Sequence, residues 1–386
     1  MGKKNFKKKG GKTLQERKKE LKEASKALGR QNAKKSEGAS QYTIDQLLDK
    51  AEELIDEFNY ELAQKFCQRA LEQDADNVRA LETSGVLLLE LGNTEAAKQC
   101  FGRAVEVCPD KGYSKYMYLG QLFEGAQAVE CFQKGIQLML KEKEEKQAQE
   151  VAAACRGAES DEGPSDRDIS SAYCSVAEIY LTDLCFEEGA EQKCEESVEN
   201  AVKSDPNNPE AHQLKASFLL SKERTEEAKE AIKNSVSLWL PQLQAQEEGT
   251  VDDENFDPVE ACPLSYPTRM QAAKILVEVG EYETAGEVLE LLLDEDEDIP
   301  DVWYMLGWAN YLQGADYAAN ARHYLSKANK VYTKVKHKDE ELLKHITELL
   351  KELGPGEGLE DDDGDEDAEN GDQLEIESSD EEPMDQ

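Results

Sequence analysis

A spacing of 34 residues, met near the start of the chain, constrains this sequence more than any other feature. The run Gly85-x11-Ala97-x3-Phe101-x2-Ala104-x4-Pro109 has Leu81 and Leu88 beside its glycine. Thirty-four residues upstream, the same register reads Leu47, Ala51, Leu54, Ala63, Cys67 and Ala70. Small residues therefore recur at Ala51/Gly85 and Ala63/Ala97, with larger apolar residues a helical turn away. Two antiparallel helices approach closely only where the facing side chains are small and larger neighbours fill the flanking grooves. A fixed period of this length marks stacked units that bury their apolar faces on one another.

These residues resemble the tetratricopeptide repeat, a helix–turn–helix of 34 residues with a W-x2-L-G…Y…A-x3-F…P signature. Trp303-x2-Leu306-Gly307, with Ala321-x3-Leu325-x2-Ala328, is the clearest later copy. Other copies open at Leu119-Gly120, Tyr173, Pro209 and Ala273. The copy at Leu119 carries a turn about four residues short, and the copy at Tyr173 a turn about five residues long. Seven repeats are readable over 43–335, followed by an amphipathic cap from Asp339 to Leu353 that Gly354-Pro355 stops. The expected fold is an all-α superhelical solenoid over 43–353. A lengthened helix and loop near 141–168 and a Pro-containing acidic insertion at 241–267 interrupt it. Residues 1–42 read as a basic arm with a short helix after Thr13, and 354–386 as an acidic tail too poor in apolar residues to fold.

Charge separates the partners such a chain tolerates. The formal net charge is −39, yet residues 1–38 hold 14 basic and 4 acidic side chains, and the tail from 354 holds 16 acids and no bases. A surface this acidic repels nucleic acid and anionic lipid and attracts cations. Direct DNA binding is not expected. No apolar run approaches the roughly 18 residues that cross a bilayer, the lysine-rich start lacks the apolar core of a secretory signal, and Phe6 breaks a myristoylation motif after Gly2. Nine cysteines without a C-x-x-C pair fit reduced, buried thiols in cytoplasm or nucleus.

Catalytic signatures are missing from the sequence. The four histidines, His212, His323, His337 and His345, have no Cys or Asp at metal-ligand spacing, and no phosphate-binding loop, nucleophile elbow or zinc-protease motif occurs. Cys67 takes a recurrent core position. No enzyme activity, metal or cofactor is expected.

Function is expected instead on the first helix of each repeat, where positions two, five, nine and twelve share one face. These positions carry six acids, Asp45, Glu52, Glu82, Glu178, Glu210 and Asp301, against two bases, Arg79 and Lys274. The fifth positions are Leu48, Glu82, Cys174, Gln213, Met270 and Tyr304. An acidic and apolar trough suits an extended Lys/Arg-rich segment, whose charges pair with carboxylates while its alkyl stems lie on apolar wall. Tyr304, Trp308 and Tyr311 form a stripe that either receives guanidinium by cation–π contact or packs against the neighbouring helix.

The lysine-rich start (Gly2-Lys3-Lys4), the seven irregular repeats, the stretches Leu119-Gly120-Gln121-Leu122 and Trp303-Tyr304-Met305-Leu306-Gly307-Trp308, and the Glu/Asp tail together resemble the dedicated assembly chaperones of large-subunit ribosomal protein four. The resemblance implies an escort that shields a basic ribosomal protein and delivers it to nuclear pre-ribosomes; a monomer working in cytoplasm and nucleus is expected. A passive scaffold for a protein complex, or a heat-shock co-chaperone, is the alternative use of such repeats; the second needs a basic groove. Ser378 and Ser379, followed by Asp380-Glu381-Glu382, are candidate phosphorylation sites for an acidophilic kinase.

Overall fold

The computed structural model describes residues 42–153, 163–247 and 261–356. The arm before residue 42, the centres of both insertions, and the tail with Ser378 and Ser379 lie outside the described residues. Among the described residues there are 16 α-helices and no strand. The helices fall into two compact units, one before residue 164 and one from residue 164 on.

The first unit contains three helical hairpins: α1 (Ile44–Asp56) with α2 (Tyr60–Gln73), α3 (Val78–Glu90) with α4 (Thr94–Val107), and α5 (Ser114–Leu122) with α6 (Gly125–Ala153). Capping sets the starts. Thr43 forms a capping box with Gln46 at α1, and Asn77 accepts from the Ala80 amide at α3. The small-residue register has its reason in the packing. A Cβ added to Gly85 would stand 2.5 Å from the Phe101 ring, and one added to Gly120 would stand 2.8 Å from Phe132. Ala51, Ala63 and Cys67 make the same close approach in the first hairpin, and all three are buried. The third repeat is short for a reason the sequence pattern did not show: α5 has 9 residues against 13 in α3, so the deletion lies mostly in the helix rather than the turn. Its partner α6 runs for 29 residues, which takes up the expected lengthening after Lys141.

The second unit pairs α7 (Asp166–Leu181) with α8 (Ala190–Ser204) and α9 (Pro209–Ser221) with α10 (Thr225–Ser237). A short α11 (Leu240–Glu247) opens the second insertion. Two further hairpins follow, α12 (Tyr266–Glu278) with α13 (Tyr282–Glu295) and α14 (Pro300–Gln313) with α15 (Ala318–Val335), and α16 (Glu340–Leu353) covers the end. Ser165 caps α7 in a box with Asp168, so this helix starts slightly before the expected loop boundary. Asp339 accepts two amides at the start of α16, and Gly354 at φ 66° ends it. Gly307 repeats the close approach, its notional Cβ 2.6 Å from Leu325.

Candidate functional site

In the first unit the first-helix face is organised by one arginine. Arg79 of α3 reaches back to α1, donating from Nε and Nη2 to both oxygens of Glu52 at 3.2 and 2.7 Å, and from Nη2 to Asp49 at 2.7 Å. Asp45 stands 3.7 Å from Nη1, and the Thr83 hydroxyl donates to Glu52 at 3.2 Å. Three carboxylates thus share one guanidinium, leaving an excess of two negative charges on a face where Asp45 is 82% exposed. The fork geometry of guanidinium matches a carboxylate in two bonds, which explains why Glu52 takes the bidentate position.

Glu82 is different. It is half-buried, and its nearest cation is Lys115, a fully buried lysine at 3.6 Å whose ammonium also donates to the carbonyls of Lys111 and Gly112. Burial pushes the Glu82 carboxyl above its ordinary range, Lys115 pulls it back, and the charge of Glu142 adds to the rise. Glu142 itself accepts the Gly112 amide at 3.2 Å. Glu82 is therefore part of an internal charge cluster. Lys115, Glu142 and Asp49 are site residues that the face-by-face reading missed, because repeat grammar does not encode which charges meet across helices.

In the second unit, Glu210 of α9 accepts from the Ser171 hydroxyl of α7 at 3.4 Å. The residue is exposed as a whole, yet desolvation of its carboxyl raises its pKa. The charge of Glu178 raises it further, against the opposing pull of Ser171 and Arg167. Among the described residues neither Glu178 nor Glu210 is in an ion pair. The nearby Arg167 is occupied by Asp205 at 2.5 Å and the Asn207 carbonyl at 2.7 Å. Here two carboxylates repel one another with no cation between them.

The fifth positions correct part of the expected trough. Leu48, Cys174, Gln213 and Met270 are all buried, since this column is where successive first helices pack. Gln213 donates to the Thr268 carbonyl of α12 at 2.9 Å. Burial also pushes the thiols of Cys67 and Cys194 up to about 11 and 12 and raises that of Cys174. They are protonated core residues at neutral pH.

The aromatic stripe meets α16. The Tyr304 hydroxyl lies 2.7 Å from His345 Nδ1, the Trp308 ring is centred 5.0 Å from that imidazole, and Tyr311 donates to Glu352 at 2.7 Å. Trp308 and Tyr311 stack at 5.6 Å, and all three pack on the cluster of Leu342, Ile346 and Leu349. Of the two readings the stripe allowed, packing against a neighbouring helix is the one the geometry displays. Asp301 faces His337 at 3.8 Å.

Helix–turn–helix pairs with this register and these close approaches define a tetratricopeptide-repeat protein, and the tetratricopeptide-repeat model matches residues 54–113. A protein of Schizosaccharomyces pombe described as a probable assembly chaperone of rpl4 is 31% identical over 330 residues, 80% of this chain and 90% of the relative. One of Emericella nidulans with the same description is 27% identical over 360 residues, 84% of this chain and 85% of the relative. The chain belongs to this family of assembly chaperones. A solved assembly chaperone of RpL4, Acl4 (residues 1–338), is 30% identical, covers 71% of this chain and 97% of its own, and superposes with a TM-score of 0.59.

Proposed function

We propose that this chain is a non-enzymatic chaperone of a basic ribosomal protein of the large-subunit protein four class, holding an extended Lys/Arg-rich segment of that client on its acidic first-helix faces. The observation that carries this reading is the uncompensated carboxylate at those faces: Glu178 beside Glu210 in one unit, and three acids on Arg79 in the other. A client ammonium or guanidinium relieves the repulsion between Glu178 and Glu210. The aromatic stripe is left out of the client contacts, because α16 occupies it. The family description of the relatives supports the choice of client.

The proposal extends to escort of the client, by a monomer, from cytoplasm to nuclear pre-ribosomes. Held carboxylates compete with RNA for the client's charges until ribosomal RNA offers more contacts. The co-chaperone alternative needs a cluster of free cations to clamp an acidic peptide; Arg79 is already engaged by three carboxylates, which leaves Lys274 as a lone base among the face positions. Affinity purification of the tagged full chain followed by mass spectrometry tests the reading. A near-stoichiometric large-subunit ribosomal protein is expected; a heat-shock chaperone, or a set of folded non-basic partners, would contradict it.

A further inference from the structure

The turn between α1 and α2 places a phenylalanine at a left-handed position that two of the matching turns give to glycine. In four hairpins the first and second helices are joined by three residues whose middle member is left-handed: Phe58 (φ 58°), Gly92 (φ 72°), Glu223 (φ 58°) and Gly280 (φ 79°). The Phe58 amide donates to the Ile55 carbonyl at 2.9 Å and the Asn59 amide to Leu54 at 2.8 Å, the paired bonds of a helix C-terminus that favours glycine at this position. A bulky side chain is strained there. Burial does not compensate, since Phe58 is 78% exposed and its ring touches Tyr60 edge-on at 6.3 Å. A strained backbone and an exposed aromatic on the same residue are two costs to the fold with no return inside it.

The surroundings say what would give a return. Leu62 and Leu91 are also exposed, and the Tyr60 hydroxyl donates to Glu90 at 3.2 Å, which brings the turns of the first two hairpins together. Asp56, Glu57, Glu61 and Glu90, chain neighbours of these apolar residues, are all exposed. A second copy of a chain carrying −39 is a poor occupant for such a surface. An extended basic segment has no preformed hole for the ring. A folded, basic surface has both the hole and the rim charge. Phe186, fully exposed in the long α7–α8 turn between Asp183 and Glu187, also stands among acids but without a left-handed φ.

We propose that Phe58, with Leu62 and Leu91, is a docking knob for an apolar pocket rimmed by Lys and Arg on the folded body of the client, separate from the faces that hold its extended segment. This rests on the client reading above, and the test keeps the two apart. Full-chain wild type and Phe58→Gly are titrated with full-length large-subunit ribosomal protein four, and with a synthetic peptide of its basic extended segment. Their thermal midpoints are measured alongside. Glycine relieves the left-handed strain, so Phe58→Gly is expected to melt at or above wild type, to bind the peptide equally, and to bind the full client at least about tenfold more weakly. Equal affinity for the full client overturns the inference while leaving the client reading intact if the peptide binds. Failure of wild type to bind either ligand removes both. Loss of the Phe58→Gly effect on deleting residues 1–41 would make the chain's own arm the occupant, and a wild-type dimer that Phe58→Gly dissolves would make it a second copy; each of these overturns the proposal too.

Discussion

Arg79 on the second repeat holds Glu52 of the first in two hydrogen bonds, at 3.2 and 2.7 Å, while Asp49 and Asp45 crowd the same guanidinium. This pairing joins successive repeats and also masks part of the acidic face. The two roles oppose each other under mutation. Arg79 is 42% exposed, so its loss is expected to cost about 1 kcal/mol or less. Arg79→Gln should therefore lower the urea midpoint slightly and tighten binding of a basic client segment, which paired denaturation and calorimetric titrations would read.

Glu210 gives the pH dependence its sign. Its pKa in the free protein lies above the ordinary 4.5, and a client cation favours the ionised form. Affinity is complete above the raised pKa and falls as pH drops through it, with proton uptake by the free protein. Stability behaves oppositely: the folded state binds the proton more tightly than the unfolded one, so this group's contribution declines as pH rises from 4.5 through the folded value. Glu210→Gln is expected to flatten the affinity–pH curve, weaken binding at neutral pH and leave the thermal midpoint at pH 7 no lower than wild type.

Gly85 and Gly102 form a matched pair on facing helices. An alanine methyl at Gly85 enters the Phe101 ring, and the same methyl at Gly102 meets nothing within 4 Å. Gly85→Ala should cost about 1–3 kcal/mol by overpacking, whereas Gly102→Ala should stabilise α4 by about 0.5–1 kcal/mol through helix propensity. Chemical denaturation of the two variants measures both.

The capping helix tests the reading of the aromatic stripe. Tyr304→Phe removes the hydroxyl shared with His345 and is expected to cost about 1 kcal/mol of stability. Affinity for a basic client segment should not change. A large loss of affinity with intact folding would return these rings to the client surface.

Much of this architecture was legible in the residues, and the limits have physical causes. Gly85, Gly120 and Gly307 announced the close approaches because only a missing Cβ fits against Phe101, Phe132 and Leu325. Asp339 and Gly354 announced the ends of α16 by cap chemistry. The face-by-face reading failed at Leu48, Cys174, Gln213 and Met270, since one column of each first helix is consumed in packing on the next, and helical periodicity alone does not say which column. It also gave Glu82 the same standing as Glu178. One carboxylate is tied to the buried Lys115 and the other is unpaired, a difference created by residues 33 positions away in the first case. A substitution such as Glu82→Lys would set two ammonium groups together in a buried cluster and disrupt the fold, so the acidic face is better probed at Glu178 and Glu210.

The central claim is that carboxylates on the first-helix faces capture a basic client segment, and calorimetric titration of that segment against wild type and Glu178→Lys/Glu210→Lys tests it most directly. At about 0.15 M salt, where the Debye length is about 8 Å, the double variant is expected to bind at least about tenfold more weakly with unchanged helical circular dichroism, and wild-type affinity to fall as salt is raised. Equal affinity of the two proteins, or wild-type binding indifferent to salt, would contradict the account.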